Sequence, residues 1–267
     1  MRLLFSALLL CFASAAPAFA NIERIIRTEA NTYTFPGPEE GQPREVFVWR
    51  PQGVEGPLPV IYVTDGPGGM MMLMENLYEP ITTGQTPPLM VVALDAEPRI
   101  RRREYVPTER RMPYFVAHRD WFLNVVMPWA EHAMGASRDR SQRIIAGASN
   151  GGDFAVAMAR QRPDLFGAIM AHSPMNPERG GWTAETASTQ RWLVTAPTRL
   201  SDVDYARVLA RELASRNATR RVCLGPWGHD LASWKSLSAG NTYWLLGDEA
   251  AAERIATARE RDYCETP

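Results

Sequence analysis

Short apolar runs alternate with longer amphipathic ones along most of this chain. Glu45–Arg50 alternates apolar and polar positions, the period of a half-buried strand. Pro59–Thr64, Leu89–Leu94, Arg143–Ala146, Phe166–Ala171, Arg191–Thr195 and Arg221–Leu224 are short and apolar, several of them β-branched, as buried parallel strands are. Between them lie helical patterns. Tyr114–Met134 is rich in aromatics and carries Pro128 as a kink or break. Asn150–Gln161 sets Phe154, Val156 and Met158 among alanines and stops before Pro163. Asp204–Ser215 lines up Val208, Leu209 and Leu213 on one side, Leu231–Leu246 holds at least one helix, and Glu249–Arg261 is a polar terminal helix. Strands and helices in alternation predict an α/β fold with a central, mostly parallel sheet flanked by helices.

The join between Arg143–Ala146 and Asn150–Gln161 changes that picture most. It reads Gly147-Ala148-Ser149-Asn150-Gly151. A serine at the apex of a strand–turn–helix is a nucleophile elbow, and only small residues fit beside so tight a bend. The motif alone is weak, since ordinary Gly and Ser frequencies produce it by chance in about one chain in ten of this length. The strand before it and the helix after it give it weight.

A serine needs a base, and the base needs a partner that fixes its tautomer. On an α/β-hydrolase sheet the chain order is Ser, acid, His. His118 and His132 precede Ser149. His172 ends the strand directly after the nucleophile helix and leaves no strand for the acid. His229 remains, in Gly228-His229-Asp230 after the last strand. The acid belongs between Arg191–Thr195 and the following helix. Asp202 is preferred, with Asp204 as the alternative; both are also good first-turn residues. The oxyanion of a tetrahedral intermediate needs two N–H donors. Asn150, just after the nucleophile, supplies one, and an amide of Gly66–Gly69, Gly68 in particular, supplies the other. The chemistry requires no cofactor and no metal.

Bulk properties set the remaining bounds. The formal net charge of -1 argues against nucleic acid as the main partner. Residues 1–20 have a basic start, an apolar stretch Leu3–Ala13 and an Ala18-Phe19-Ala20 cleavage signal, the pattern of a secretory signal peptide. Residues 21–267 then form a single α/β-hydrolase domain, exported to a bacterial periplasm or beyond, with no membrane span in the mature chain. Export leaves Cys223 and Cys264, either bridged or as two separate thiols. Pro174–Gln190, with Gly180-Gly181 and Trp182, is a polar loop placed where a substrate-shaping insertion sits; an ordinary surface loop is the alternative.

Several segments resemble the esterase D-like family of α/β-hydrolases, which includes enterochelin, feruloyl and acetyl-xylan esterases, S-formylglutathione hydrolases and mycolyltransferases. They are Tyr62-Val63-Thr64-Asp65-Gly66, Arg103-Glu104-Tyr105-Val106-Pro107, the elbow with Gly152, Pro163–Phe166 with His172-Ser173-Pro174, and Gly228-His229-Asp230 with Trp234. The resemblance runs from about Arg44 to Leu246 and implies hydrolysis of a small-molecule or carbohydrate-linked ester. Two departures stand out. Pro67 follows the Asp-Gly pair where the family places its second oxyanion donor, and proline has no N–H. The strand before the acid ends Thr195-Ala196-Pro197-Thr198 instead of in a glycine followed closely by an acid. The same machinery serves an acyltransferase that passes the acyl group to a sugar or lipid alcohol. A binding module that kept the fold without the chemistry is a third possibility. Arg99, Arg101, Arg102, Arg103, Arg110 and Arg111 form a basic cluster that either binds an anion or is a solvated face partly paired by Glu104 and Glu109. Met70, Met71, Met72 and Met74 line an adaptable pocket or pack the first helix.

Overall fold

The computed structural model describes residues 29–38, 42–108, 111–175 and 187–266. Residues 1–20, with the expected leader pattern, Glu109, Arg110 and Gly180-Gly181-Trp182 lie outside the described residues. Nine strands make one sheet in the order β1-β2-β4-β3-β5-β6-β7-β8-β9. They are β1 (Asn31–Pro36), β2 (Pro43–Trp49), β3 (Val60–Thr64), β4 (Met90–Leu94), β5 (Arg143–Ala148), β6 (Ala168–His172), β7 (Arg191–Pro197), β8 (Thr219–Gly225) and β9 (Cys264–Glu265). The six central strands β4-β3-β5-β6-β7-β8 are parallel, while β1, β2 and β9 pair antiparallel at the two edges.

The central strands are buried on both faces because helices cover both. The side-chain period of two sends alternate residues to opposite layers. Val60, Tyr62, Val92 and Ile145 join one core with Phe115, Phe122, Phe154 and Phe166. Ile61, Val63, Val91 and Ile144 join the other with Met70, Met72, Leu73, Met74 and Trp244. The methionines of the first helix are therefore core, with Met71 partly buried against the same layer.

Helices in chain order are α1 (Gly66–Thr82), α2 (Arg101–Tyr105), α3 (Met112–Trp121), α4 (Met127–Ala133), α5 (Asn150–Gln161), α6 (Asp202–Ser215), α7 (Leu231–Lys235), α8 (Ala239–Leu245), α9 (Glu249–Ile255) and α10 (Ala258–Tyr263). Two expected helices differ. Tyr114–Met134 is interrupted by a π-helical turn, Phe122–Val126, between α3 and α4. Pro128 has no N–H and its ring crowds the carbonyl four residues back, so the preceding turn widens and the Met127 N–H bonds Phe122 O. Glu249–Arg261 is two helices, because Thr257 and Glu260 form a capping box that starts α10 afresh. The β9 strand is short and is tied to β8 by a disulfide between Cys223 and Cys264. Among the described residues no helix is long and apolar enough to cross a membrane.

Candidate active site

Parallel strands place their C-terminal ends on one edge of the sheet, where ligands of open α/β sheets bind. Ser149 follows β5, Asp202 starts α6 after β7, and His229 follows β8. All three sequence-predicted polar groups therefore stand over the same edge.

Ser149 occupies φ 57, ψ −125, a strained conformation for a residue with a side chain. The bend is held by a Ser149 N–H bond to His172 O at 2.9 Å and by an Asp153 N–H bond to Ser149 O at 3.2 Å. Gly147 and Gly151 are demanded by close approach. A Cβ on Gly147 would come within 2.2 Å of Gly151 O, and one on Gly151 within 2.1 Å of Thr64 Oγ1. The Asn150 N–H lies in the first turn of α5, where no intrahelical acceptor exists.

The imidazole and the acid meet. His229 Nδ1 hydrogen-bonds Asp202 Oδ2. Asp202 is almost fully buried, while the His229 side chain is 24% exposed. The Trp234 ring meets the imidazole edge-on, with centroids 5.1 Å apart, and its Nε1 donates to Ser173 Oγ at 3.1 Å. A Thr198 N–H bond to Gly225 O at 2.8 Å ties the loop after β7 to the loop after β8. Asp204 points elsewhere: its side chain is 79% exposed and faces Arg207 at 3.9 Å. Asp230, beside the histidine, caps α7 by accepting the Ser233 N–H at 2.8 Å, which holds its carboxyl below the usual range.

Ser149 is not bonded to His229 among the described residues. Its hydroxyl lies 3.6 Å from Met175 Sδ. Sequence reasoning gave Met175 no role.

The Asp65–Gly69 loop carries a second network that sequence reasoning missed. Asp65 adopts φ 72, and its carboxylate takes a bidentate contact from Arg101, through Nε to Oδ1 and Nη2 to Oδ2. Arg101 Nη2 also reaches Ala148 O, next to Ser149, at 3.4 Å. Its guanidinium lies 5.1 Å from the centroid of Tyr105, whose hydroxyl accepts the Asp65 N–H at 3.0 Å. Burial, the largest single influence, would lower the Arg101 pKa; the Asp65 hydrogen bond and charge, with the charges of Tyr105 and Asp153, together outweigh it and raise the value. Arg101 thus leaves the basic cluster to brace the loop against the elbow. Glu104 is not a surface partner either. It lies buried on Arg44 at 2.7 Å.

The loop's amides are mostly spoken for. Gly68, expected as the second oxyanion donor, donates instead to Asp65 O at 3.0 Å, in the first turn of α1. Gly69 donates to the same carbonyl at 3.3 Å. The Gly66 N–H has no hydrogen-bond partner among the described residues. Among those residues, no group of three or more His, Cys, Asp or Glu side chains converges as a metal site.

Known proteins share this fold. Iron(III) salmochelin esterase of Escherichia coli O6:H1 (strain CFT073) is 30% identical over 126 residues, which are 40% of this chain and 31% of that relative. The chain therefore matches under a third of that protein's length. A ferulic acid esterase structure superposes with a TM-score of 0.63 at 16% identity, covering 85% of this chain and 97% of its own. Enterochelin esterase from Shigella flexneri does so with a TM-score of 0.63 at 20% identity, covering 83% of this chain and 58% of its own. These likenesses and the nine-stranded, mostly parallel sheet make this an α/β-hydrolase fold. The profile of the family described as "Putative esterase" matches residues 38–255, most of the chain, and this protein belongs to that family.

Proposed function

We propose that this chain hydrolyses carboxylic esters with Ser149 as nucleophile, His229 as base and Asp202 as its orienting acid, through an acyl-enzyme. The observation that carries this is the Asp202–His229 hydrogen bond, standing over the sheet edge where Ser149 projects from its strained bend. With Nδ1–H held by Asp202, Nε2 is the free, basic nitrogen. The Ser149 hydroxyl gives up its contact with Met175 Sδ, bonds Nε2 and attacks the ester carbonyl. His229 takes the proton and returns it to the departing alcohol. It then activates a water that releases the acid and restores the serine.

The tetrahedral oxyanion is held by the Asn150 N–H and by an amide of the Asp65–Gly69 loop. Pro67 has no N–H, and Asp65, Gly68 and Gly69 already donate elsewhere, which leaves Gly66. Each such donor is worth about 3 kcal/mol of transition-state stabilisation. Arg101 positions that loop against Ala148. The reaction uses only these side chains, amides and water.

The leader pattern of residues 1–20 and the Cys223–Cys264 disulfide support export, with residues from 21 onward as one domain, because disulfides persist in oxidising compartments. The test is Ser149→Ala. It should lower kcat/KM for p-nitrophenyl acetate by about 10⁴–10⁶-fold and abolish labelling by a fluorophosphonate probe, with an unchanged melting curve. Retained hydrolysis would overturn the assignment.

A further inference from the structure

The group that touches the nucleophile is one that a triad does not need. Met175 stands just past the end of β6, after Ser173 and Pro174, and its Sδ lies 3.6 Å from Ser149 Oγ. Its backbone is pinned, for its N–H donates to Asp153 Oδ1 at 2.9 Å. Asp153 is 1% exposed and sits one helical turn after the nucleophile on α5. The same helix therefore fixes both the serine and the residue facing it. The Met175 side chain is 37% exposed and belongs to neither apolar core. Core packing does not account for an unbranched apolar chain held in that place.

We propose that Met175 is the wall of the acyl subsite and sets how bulky an acyl group the protein accepts; this rests on Ser149 being an esterase nucleophile. A carbonyl carbon bonded to Oγ carries its substituents into the shell where the sulfur now stands. The leaving alcohol lies on the His229 side, because the imidazole must hand it a proton. The oxyanion points to the Asn150 and Gly66 amides, so of the carbonyl's substituents the acyl group is the one assigned to the sulfur, the atom in contact with the Ser149 hydroxyl. A thioether with three rotatable bonds is suited to the role, since it yields to flat or flexible groups while still filling the space behind a small one.

The experiment uses the wild type, Met175→Ala and Met175→Leu. It reads kcat/KM for p-nitrophenyl acetate, butyrate and benzoate, and for acetates of alcohols of graded size. The benzoate-to-acetate ratio should rise about tenfold or more in Met175→Ala, the scale on which pocket volume discriminates substrates. It should stay within about threefold of wild type in Met175→Leu, which keeps the volume. The alcohol series should keep its wild-type order. Met175→Val also withdraws the reach of the sulfur, carries the same expectation as Met175→Ala, and replaces it if the latter does not fold. An unchanged acyl ratio in the truncated variant of an active enzyme overturns this inference alone, as does a shift confined to the alcohol series. A folded wild type that neither turns over any ester nor takes the fluorophosphonate label overturns the esterase assignment and this inference together.

Discussion

His172 and His229 end neighbouring parts of the same sheet edge, one on β6 and the other just past β8, with only β7 between them. His172 is fully buried, and its two ring nitrogens meet the hydroxyls of Thr195 at 2.9 Å and Ser238 at 3.1 Å. Burial pushes its pKa down to about 3, so it stays neutral, and its carbonyl holds the elbow from behind. His229 is part-open to solvent and meets a buried carboxylate. The same side chain is a beam in one place and a candidate base in the other. The difference lies in the partner and in access. Two hydroxyls can satisfy a neutral ring, but only a carboxylate both fixes the tautomer and stabilises the cation that forms during proton transfer.

Exchanging the roles of these two residues should give very different losses. His229→Gln should lower kcat/KM by about 10⁴–10⁶-fold in folded protein, as removal of a triad base does. His172→Gln should act first on stability, read as a lower denaturation midpoint; a loss of hydrolysis equal to that of His229→Gln in protein shown to be folded would erase the contrast. The acids sharpen the same point. Asp202→Asn leaves the shape but offers His229 the wrong hydrogen-bonding partner, and should cost about 10³–10⁴-fold in kcat. Asp204→Asn should change the rate by less than about twofold, since that side chain faces solvent.

A pH dependence of stability extends the comparison to the buried histidines. His118, like His172, is fully buried and held down to about 3, first by burial and then by the Arg44 charge. Neither of its ring nitrogens has a hydrogen-bond partner among the described residues, and its ring packs among Tyr105, Trp121 and Phe154. A histidine whose folded pKa is depressed binds fewer protons in the native state than in the unfolded chain. Stability is therefore lost as pH falls below the unfolded value near 6.5. Two such groups should cost about 2.5 kcal/mol between pH 7 and 5.5 in urea titrations. Glu260 and Asp95, raised by burial, act with the opposite sign, which a carboxylate shows below its raised folded value. His118→Phe should remove about half of the histidine slope; an unchanged slope would show that this ring does not titrate on unfolding.

What was legible in the sequence was local. The apolar runs of the central strands, the Gly-Ala-Ser-Asn-Gly bend and the small-residue face of α5 each carry their cause within a few residues. Near-neighbour geometry decides them, through strand burial and the absence of room for a Cβ at Gly147 and Gly151. The order of Ser149 before His229 followed from connectivity. Elements that depend on distant partners were not legible. The β1 and β9 strands exist because an edge was there to pair with. Glu104 was read as a surface charge because the sequence does not show Arg44 beneath it.

The chain's own pattern determined a parallel sheet with a serine on a sharp bend and a histidine loop after the last long strand. Only the packed structure bonded Asp202 to His229 while leaving Asp204 to solvent, engaged the Gly68 amide with Asp65 O, set Met175 against Ser149 and joined Cys223 to Cys264. Most of those are contacts between residues far apart in sequence; the Gly68 bond is local but depends on how the Asp65–Gly69 loop is turned. Periodicity cannot rank such choices, because they are decided by distances in space and by which side chains are left facing water.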